Sequence, residues 1–552
     1  MNSDGVLPID LGTDFFQENP ALLTQSIPPE TTIAAAQQLL QPKDTALAVA
    51  SGGRQLGIIS RRDLALAAHY GLSHALVRDH MTANSESQPG SQEQVEGLLN
   101  RLRQRLQPAL WQLLTIAAQQ AQTQDWQLYL VGGAVRDLLR SVLSREELLS
   151  SDDLEQGLLL QDIDLVVDGG ARSTNAGAGV KLARSLQAAY PQARLEIHSK
   201  FQTAAVIWSN DPNLQSLGVD IATARTEFYA YPAANPQVQP GSIRQDLYRR
   251  DFTINALAIR LTEPRSGELL DFFGGWRDLQ SQEIRVLHAN SFIEDPTRIF
   301  RAVRFATRLG FRLEAQTEKF IRYAIASGLY NEIHDRFQQG LIAPALQTRL
   351  KAELKYLLQS PYWQAGLVKL AELQALQCIH PQLTADRSLW RQLRWLERWL
   401  LHQPDKTPWL LRLEVILARL EPLERGFTAE NLQLPRESCD RLQALASAEV
   451  EIAQVLSTCQ RPSQVVQLLD RYPEPLLVLV GVRGGSALRG LWRYLLHWRA
   501  TPAWLNGQDL KALGYRPGVQ FKQILAALKV ATLDGEVGDR GSAIEFVQRK
   551  FS

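Results

Sequence analysis

The sequence predicts a mixed α/β head followed by a long all-helical body, with a small α/β unit ahead of the head. Three observations carry this expectation. The 552 residues exceed what one hydrophobic core supports, so two to four domains are expected. Short apolar runs bounded by turn residues recur between Trp126 and Leu287, as buried strands do. From about Phe292 onward, apolar residues recur at helical spacing instead. Apolar residues at 45% and charged residues at 21% exclude a disordered chain.

Taken in order, residues 22–83 read as a helix from Thr32 to about Leu40, a strand Ala46–Ala50, a Ser51-Gly52-Gly53 turn, a strand Leu56–Ile59 and a further helix. Residues 84–92 are a polar linker, and a Gln- and Leu-rich helix is expected over 93–122. Strands are expected at Trp126–Val131, Asp162–Val167, Thr203–Trp208, Val219–Thr223, Asn255–Leu261 and Ile284–Leu287. The apolar run Leu476–Val482 is far shorter than the roughly 20 residues a membrane span requires. Neither a secretory signal nor an internal repeat is visible. Cys378, Cys439 and Cys459 are odd in number and widely spaced, which suits a reducing cytoplasm and makes no zinc pattern.

The net charge of +1 hides a gradient. Residues 1–100 carry 5 basic and 11 acidic side chains, whereas residues 481–530 carry eight basic ones against Asp509 alone. Phosphate would be repelled by the first segment and attracted by the second, although a solvated helix face is the plainer reading of such a run.

Four motifs point to chemistry. Leu130-Val131-Gly132-Gly133 runs from a strand into a helix, a turn whose backbone N–H groups can approach phosphate; alone it is as well explained by close packing. Asp162-Ile163-Asp164 places two carboxylates on one strand face, where a divalent cation would relieve their repulsion; a polar edge strand is the bland alternative. Arg249–Ala258 forms the third. The fourth, Glu294–Phe305, repeats arginine every three residues, so that Arg298, Arg301 and Arg304 spiral around a helix whose buried stripe is Ile299, Ala302, Val303 and Ala306. Arginine forks suit triphosphate oxygens and base edges. Asp295 before Pro296 signals a helix start, while Ser291–Glu294 is a competing capping box that would put Pro296 inside the helix at a cost of about 3 kcal/mol.

Gly-Gly-Ala-Val-Arg-Asp (132–137), Asp-Ile-Asp (162–164), Arg-Arg-Asp-Phe-Thr-Ile-Asn-Ala-Leu-Ala (249–258), Asp-Phe-Phe-Gly-Gly before Asp278-Leu279, and Glu-Asp-Pro-Thr-Arg (294–298) occur in this order. Together they resemble the class II tRNA nucleotidyltransferases, which comprise CCA-adding enzymes and bacterial poly(A) polymerases. The resemblance runs from about residue 105 to the C-terminus. It implies a polymerase-beta-like nucleotidyltransferase head with an all-α neck, body and tail. It also implies that Gly133 and Arg136 contact the incoming triphosphate, that Asp162 and Asp164 ligate Mg²⁺, and that Arg250 holds phosphate or sugar. Asp295 and Arg298 would read the base, with Arg301 and Arg304 nearby. A carboxylate accepts from the exocyclic amine of cytosine or adenine and an arginine donates to the adjacent acceptor, so guanine and uracil are refused. Arg298 is expected to serve the base alone. A third metal-binding carboxylate is expected from Asp220 or Glu227, with strand position favouring Asp220.

Two departures from the family pattern stand out. An acidic stretch, Ser141–Gln161, intervenes before Asp162, and the loop Phe228–Gln245 is long, which argues against an enzyme adding only CC. The N-terminal segment, with Leu56–Leu64 and Val77–Thr82, resembles a single CBS motif, implying adenosine-ligand binding or a structural or homodimerising role. The expected domains are 1–90 (CBS-like unit and linker), 105–290 (head), 291–360 (neck), 361–480 (body) and 481–552 (basic tail). Arg493, Arg499, Lys511, Arg516 and Lys522 are the candidates for RNA binding. The resulting expectation is Mg²⁺-dependent, template-independent addition of CCA, or of the terminal A, to tRNA from ATP and CTP, in the cytoplasm and without a membrane. The rivals are poly(A) synthesis on general RNA, an inactive CBS-regulated RNA-binding protein, and a phosphohydrolase built on His334-Asp335.

Overall fold

The computed structural model describes residues 25–41, 46–52, 54–61, scattered positions from 64 to 83, 103–104, 106–143, 162–169, 177–198, 202–228, 237–328, 330–331, 345–403, 407–484, 488–501 and 504–551. The linker 84–92, most of the acidic stretch 141–161 and His334-Asp335 lie outside the described residues. Two compact units are formed, Met1–Leu346 and Gln347–Ser552.

In the first unit, β1 (Ser26–Ile27), α1 (Ile33–Leu39), β2 (Ala46–Ser51), β3 (Arg54–Ser60) and β4 (Thr82–Ala83) build a four-stranded sheet in the order β1-β2-β3-β4. Thr32 caps α1, its hydroxyl accepting from Ala35 N–H at 3.2 Å. Ile27, Ile33, Leu47, Val49, Ile59, Leu64 and Val77 form its core. Of the helix expected over 93–122, residues 93–102 lie outside the described residues, 103–104 are helical, and α2 (Pro108–Gln122) opens afresh at Pro108, which lacks an N–H and has φ preset for a first helical position.

The head contains β5 (Gln127–Val131), α3 (Gly133–Leu143), β6 (Asp162–Asp168), α4 (Ala178–Ala189), β7 (Arg194–His198), β8 (Thr203–Ile207) and β9 (Gly218–Thr223). It continues through β10 (Arg225–Phe228), β11 (Gln237–Pro240), α5 (Ile243–Tyr248), β12 (Leu257–Arg260) and β13 (Leu269–Asp271). Seven of these strands form one mixed sheet, ordered β13-β12-β5-β6-β9-β8-β7, in which only β6 and β9 pair in parallel. On one face Tyr129, Val131 and Val166 pack under Ile243 and Leu247 of α5. The long loop expected over Phe228–Gln245 in fact carries the β10–β11 hairpin and the start of α5, which Ser242 and Gln245 cap reciprocally.

Ile284–Leu287 was expected as a strand of this set. Instead β14 (Glu283–Ile284) pairs with β15 (Arg312–Leu313) outside the large sheet, so strand pairing extends slightly past Phe292. The helices α6 (Gly275–Gln280), α7 (Ser291–Glu294), α8 (Thr297–Leu309) and α9 (Ala315–Ala326) complete the part of this unit that concerns the site. Gly275 opens α6 where a Cβ would lie 2.2 Å from the Thr253 carbonyl oxygen.

The second unit is helical. It runs through α10 (Ala345–Gln359), α11 (Trp363–Glu372), α12 (Arg387–Leu400), α13 (Pro408–Leu417), α14 (Pro422–Asn431), α15 (Arg436–Leu456), α16 (Pro462–Leu469) and α17 (Glu474–Gly484) to α18 (Arg489–Arg493). The apolar run Leu476–Val482 is a buried stretch of α17, and no helix among the described residues is long and apolar enough to cross a membrane. The terminal helices α19 (Gly507–Ala512), α20 (Val519–Leu533) and α21 (Arg540–Phe551) close on a core of their own that includes Leu510, Ile524, Leu528 and Phe546.

The Gly275 contact generates a prediction. Gly275→Ala should destabilise by about 1–3 kcal/mol or more, because its obstacle is backbone that cannot rotate away. Gly218→Ala, where a Cβ meets nothing within 4 Å, should be close to neutral. Urea unfolding of both variants checks this, and equal losses would show that the close approach is not what requires glycine at 275.

Candidate active site

One row across the sheet sets the site. Ala258, Val131, Asp164, Asp220 and Ala205 are successive register partners on β12, β5, β6, β9 and β8. Partners in register share a face, so Asp164 and Asp220 stand side by side, both exposed. β5 ends at Val131 and gives way to Gly132, whose φ of +72° is strained for any residue with a side chain. A Cβ there would lie 2.9 Å from Arg250 Nη1 and 3.0 Å from Asp164 Oδ2. Gly132 is therefore required by its backbone, and a side chain there would also push aside the guanidinium and carboxylate that close over it. Gly133 follows at the start of α3. Asp162 opens β6 in register with Gly218; its side chain lies outside the described residues.

Arg250 is aimed by Asp246, a fully buried carboxylate within α5. One Asp246 oxygen accepts from Arg249 Nε at 3.0 Å and Nη2 at 2.6 Å, and the other accepts from Arg250 Nη2 at 3.2 Å. Burial alone would raise this carboxyl, but the Arg249 and Arg250 guanidinium groups outweigh it and hold it below the usual range. Glu227, the other candidate for a third metal carboxylate, accepts from Arg249 Nη1 at 2.8 Å and Arg225 Nη2 at 3.1 Å and is largely buried. Two arginines thus occupy Glu227, while Asp220 adjoins Asp164.

Asp251, next along the chain, joins the head to α8. Its Oδ2 accepts from Arg301 Nε at 2.9 Å and Nη2 at 2.7 Å. Its Oδ1 accepts from its neighbour's N–H and from Asn255 Nδ2 at 2.9 Å. Asn255 Oδ1 in turn accepts from Arg136 Nη1 at 2.7 Å, and Asp137 takes the other edge of Arg136 in a bidentate pair. Arg136, which the resemblance assigns to the triphosphate, is 3% exposed, with its guanidinium 5.2 Å from the centre of the Phe305 ring. Arg301 and Arg304 lie against the same ring at 5.5 and 4.7 Å. Three cations around one ring against Asp137 and Asp251 leave the region net positive.

At the start of α8 the two competing helix signals are both used. Ser291–Glu294 forms the short helix α7, which stops at Asp295, and the chain restarts at Pro296 without burying it inside a helix. Asp295 Oδ1 accepts from Thr297 N–H at 3.1 Å and from the Thr297 hydroxyl at 2.6 Å, which is capping geometry. Arg298 departs from expectation. It is 6% exposed, hydrogen-bonds the Ser291 hydroxyl, and donates to the Arg249 carbonyl at 3.0 Å. Its fork therefore anchors α8 to the Arg249–Arg250 segment, and its removal would disturb structure as well as any ligand. Ile299, Ala302, Val303 and Ala306 form the buried stripe the spacing predicts.

Sequence reasoning passed over Asp246, Asn255 and Phe305, whose importance lies in partners distant along the chain. Of the five basic residues assigned to RNA, Arg499 is paired with Glu474, which raises its pKa. Arg493, Lys511, Arg516 and Lys522 are exposed.

Asp251 generates a prediction about pH. Burial pushes its carboxyl up, but Arg301 and the Asn255 hydrogen bond prevail and bring it down from 3.8 to about 2. A depressed folded-state value contributes stability that is complete above the unfolded value and disappears as pH falls through the folded one. Asp251→Asn should therefore cost on the order of 2 kcal/mol near neutrality, and the difference from wild type should shrink as pH is lowered from about 5 towards 2. Urea unfolding at stepped pH measures it, and a difference independent of pH would rule out an ionised Asp251.

Comparison with known proteins agrees with this geometry. Residues 128–285 match the family model described as the poly A polymerase head domain. The A-adding tRNA nucleotidyltransferase of Geobacter sulfurreducens is 30% identical over 565 residues, covering 99% of this chain and 58% of that protein. The chain thus spans 58% of the length of that relative. The A-adding tRNA nucleotidyltransferase of Halalkalibacterium halodurans is 29% identical over 80% of this chain and 92% of its own. Among solved structures, the Thermotoga maritima CCA-adding enzyme complexed with tRNA superposes with a TM-score of 0.61 at 26% identity, covering 82% of this chain and 98% of that one. The Gly132 turn, the Asp164–Asp220 pair and the α8 arginines are thus gathered in a chain whose residues 128–285 match a poly A polymerase head domain and which is similar along its length to tRNA nucleotidyltransferases.

Proposed function

We propose that this chain adds nucleotides to the 3′ end of tRNA without a nucleic-acid template, with the terminal adenylate as its product. The observation that carries the reading is the Asp164–Asp220 pair facing Gly132 and Arg250 across adjacent strands. The attacking group is the RNA 3′-hydroxyl, the electrophile is the α-phosphate, and pyrophosphate leaves. The Gly132 turn and Arg250 would receive the triphosphate, backbone N–H groups and a guanidinium both suiting phosphate oxygens. Asp295 would accept from the exocyclic amine of adenine. Arg298, held between Ser291 and the Arg249 carbonyl, ties base recognition to the phosphate-binding segment. Similarity to an A-adding enzyme along 99% of the chain favours ATP over CTP as the substrate.

The family chemistry uses divalent metal ions, and the donor set fits one. Two exposed carboxylates in register, with Asp162 two residues along the same strand, repel each other unless a cation lies between them. Asp162, Asp164 and Asp220 would hold Mg²⁺, which supplies a lowered hydroxyl pKa and neutralisation of phosphate charge. Glu227 is left to the arginines.

Asp164→Ala should abolish incorporation of labelled AMP into tRNA ending in CC, by at least 10²–10³-fold, an effect of the size seen when key electrostatic groups are removed. Its tRNA affinity should remain within about twofold of wild type. Retained incorporation would refute the carboxylate assignment. Wild-type protein that extends tRNA ending before C74 with CTP would exclude the A-only reading while leaving nucleotidyl transfer intact.

A further inference from the structure

We infer that the arginine face of α12, floored by stacked Trp395 and Trp492, is a second contact surface for the phosphate backbone of the RNA substrate. This rests on the proposed reaction with RNA and extends the RNA-binding surface from the basic segment 481–530, to which Trp492 belongs, onto the arginines of α12. In α12, Leu389, Leu393, Leu396 and Trp399 are buried, which turns Arg391, Arg394, Trp395 and Arg398 together to the other side at spacings of three and four. The helix has a single acid, Glu397, and Arg412 occupies both of its oxygens at 2.9 Å. Among the described residues, the guanidinium groups of Arg391, Arg394 and Arg398 have no carboxylate partner. Three like charges therefore sit within roughly 10 Å of helix axis, with no carboxylate paired to them among the described residues.

A solvated helix face accounts for exposed arginines, but not for what lies between these. Trp395 stacks on Trp492 with ring centroids 5.1 Å apart and planes 22° from parallel, and the Arg398 guanidinium lies 5.4 Å from the Trp395 ring. Arg391, Arg394, Trp395 and Arg398 line a cleft of about 240 Å³. A half-buried indole ringed by unpaired guanidinium groups is an expensive way to face water. It is well suited to a sugar–phosphate chain, with arginine forks taking phosphate oxygens and the ring receiving an apolar edge of sugar or base. The surface also continues into the basic segment, because Trp492 is followed directly by exposed Arg493.

The test uses the full chain carrying Arg391→Gln, Arg394→Gln and Arg398→Gln, all exposed positions. Fluorescence anisotropy with labelled tRNA over a salt series should show Kd raised by about tenfold or more near 0.1 M salt. The slope of log affinity against log salt should fall by about two, at roughly 0.7–0.9 per lost phosphate contact. KM for tRNA should rise, while kcat and the KM for ATP stay as in wild type. Should the triple variant fail to fold, Arg394→Gln alone should lower the slope by about 0.7–0.9. Unchanged Kd and slope in a variant that still adds AMP would overturn the surface while sparing the function. Loss of binding to polyglutamate with tRNA binding retained would also overturn it, in favour of an acidic protein partner. Failure of wild type to add any nucleotide to tRNA would instead overturn the reaction itself.

Discussion

The carboxylate of Asp251 is the constraint on which the site depends. It is buried, it is ionised, and its two oxygens face in different directions. One oxygen takes the fork of Arg301 on α8, and the other takes Asn255, which passes the contact to Arg136 on α3. A lone buried carboxylate would cost several kcal/mol, so the charge persists only because each lone pair has a donor. The consequence is geometric. The helix that opens at the glycine turn and the helix that carries the arginine series cannot shift independently.

That arrangement explains why so many of the arginines do not reach solvent. Arg136, Arg249 and Arg298 are anchored by Asp137, Asp246, Glu227, Ser291 and a backbone carbonyl, and they frame Arg250, itself held by Asp246, and the half-exposed Arg301 and Arg304. A guanidinium has five donors in a fixed plane, so one edge can be committed to structure while the group still lends its charge to the site. Phe305 serves several of them at once by offering its ring to three cations that would otherwise repel. The positive potential expected for a triphosphate is thus built mainly from residues whose own hydrogen bonds are internal.

Much of this was legible in the sequence, because it is written in local pattern. The strand-to-helix glycine turn, the paired aspartates of one strand and the buried stripe of α8 each follow from periods of 2 or 3.6 residues. The head strands were found where apolar residues run together or alternate with buried partners. They were missed at β7 and β13, the two half-exposed edges of the sheet, and at the paired β10 and β11, where the polar pattern reads as loop. The structural anchoring of Arg298 was missed for a different reason: its partner, the Arg249 carbonyl, is 49 residues away. Asn255 and Arg136 are separated by 119 residues. Pairings of that kind arise from topology, and no local period announces them.

The most direct test of the coupling is a double-mutant cycle between Asn255→Ala and Arg301→Gln, two groups that both bond Asp251, read on unfolding free energy and on kcat/KM for AMP incorporation. If the carboxylate of Asp251 holds α3 and α8 together, the two substitutions should be non-additive, with an interaction energy of about 0.5–3 kcal/mol in each measurement. Additivity within about 0.5 kcal/mol in both would contradict it, because the two helices would then be held in place separately.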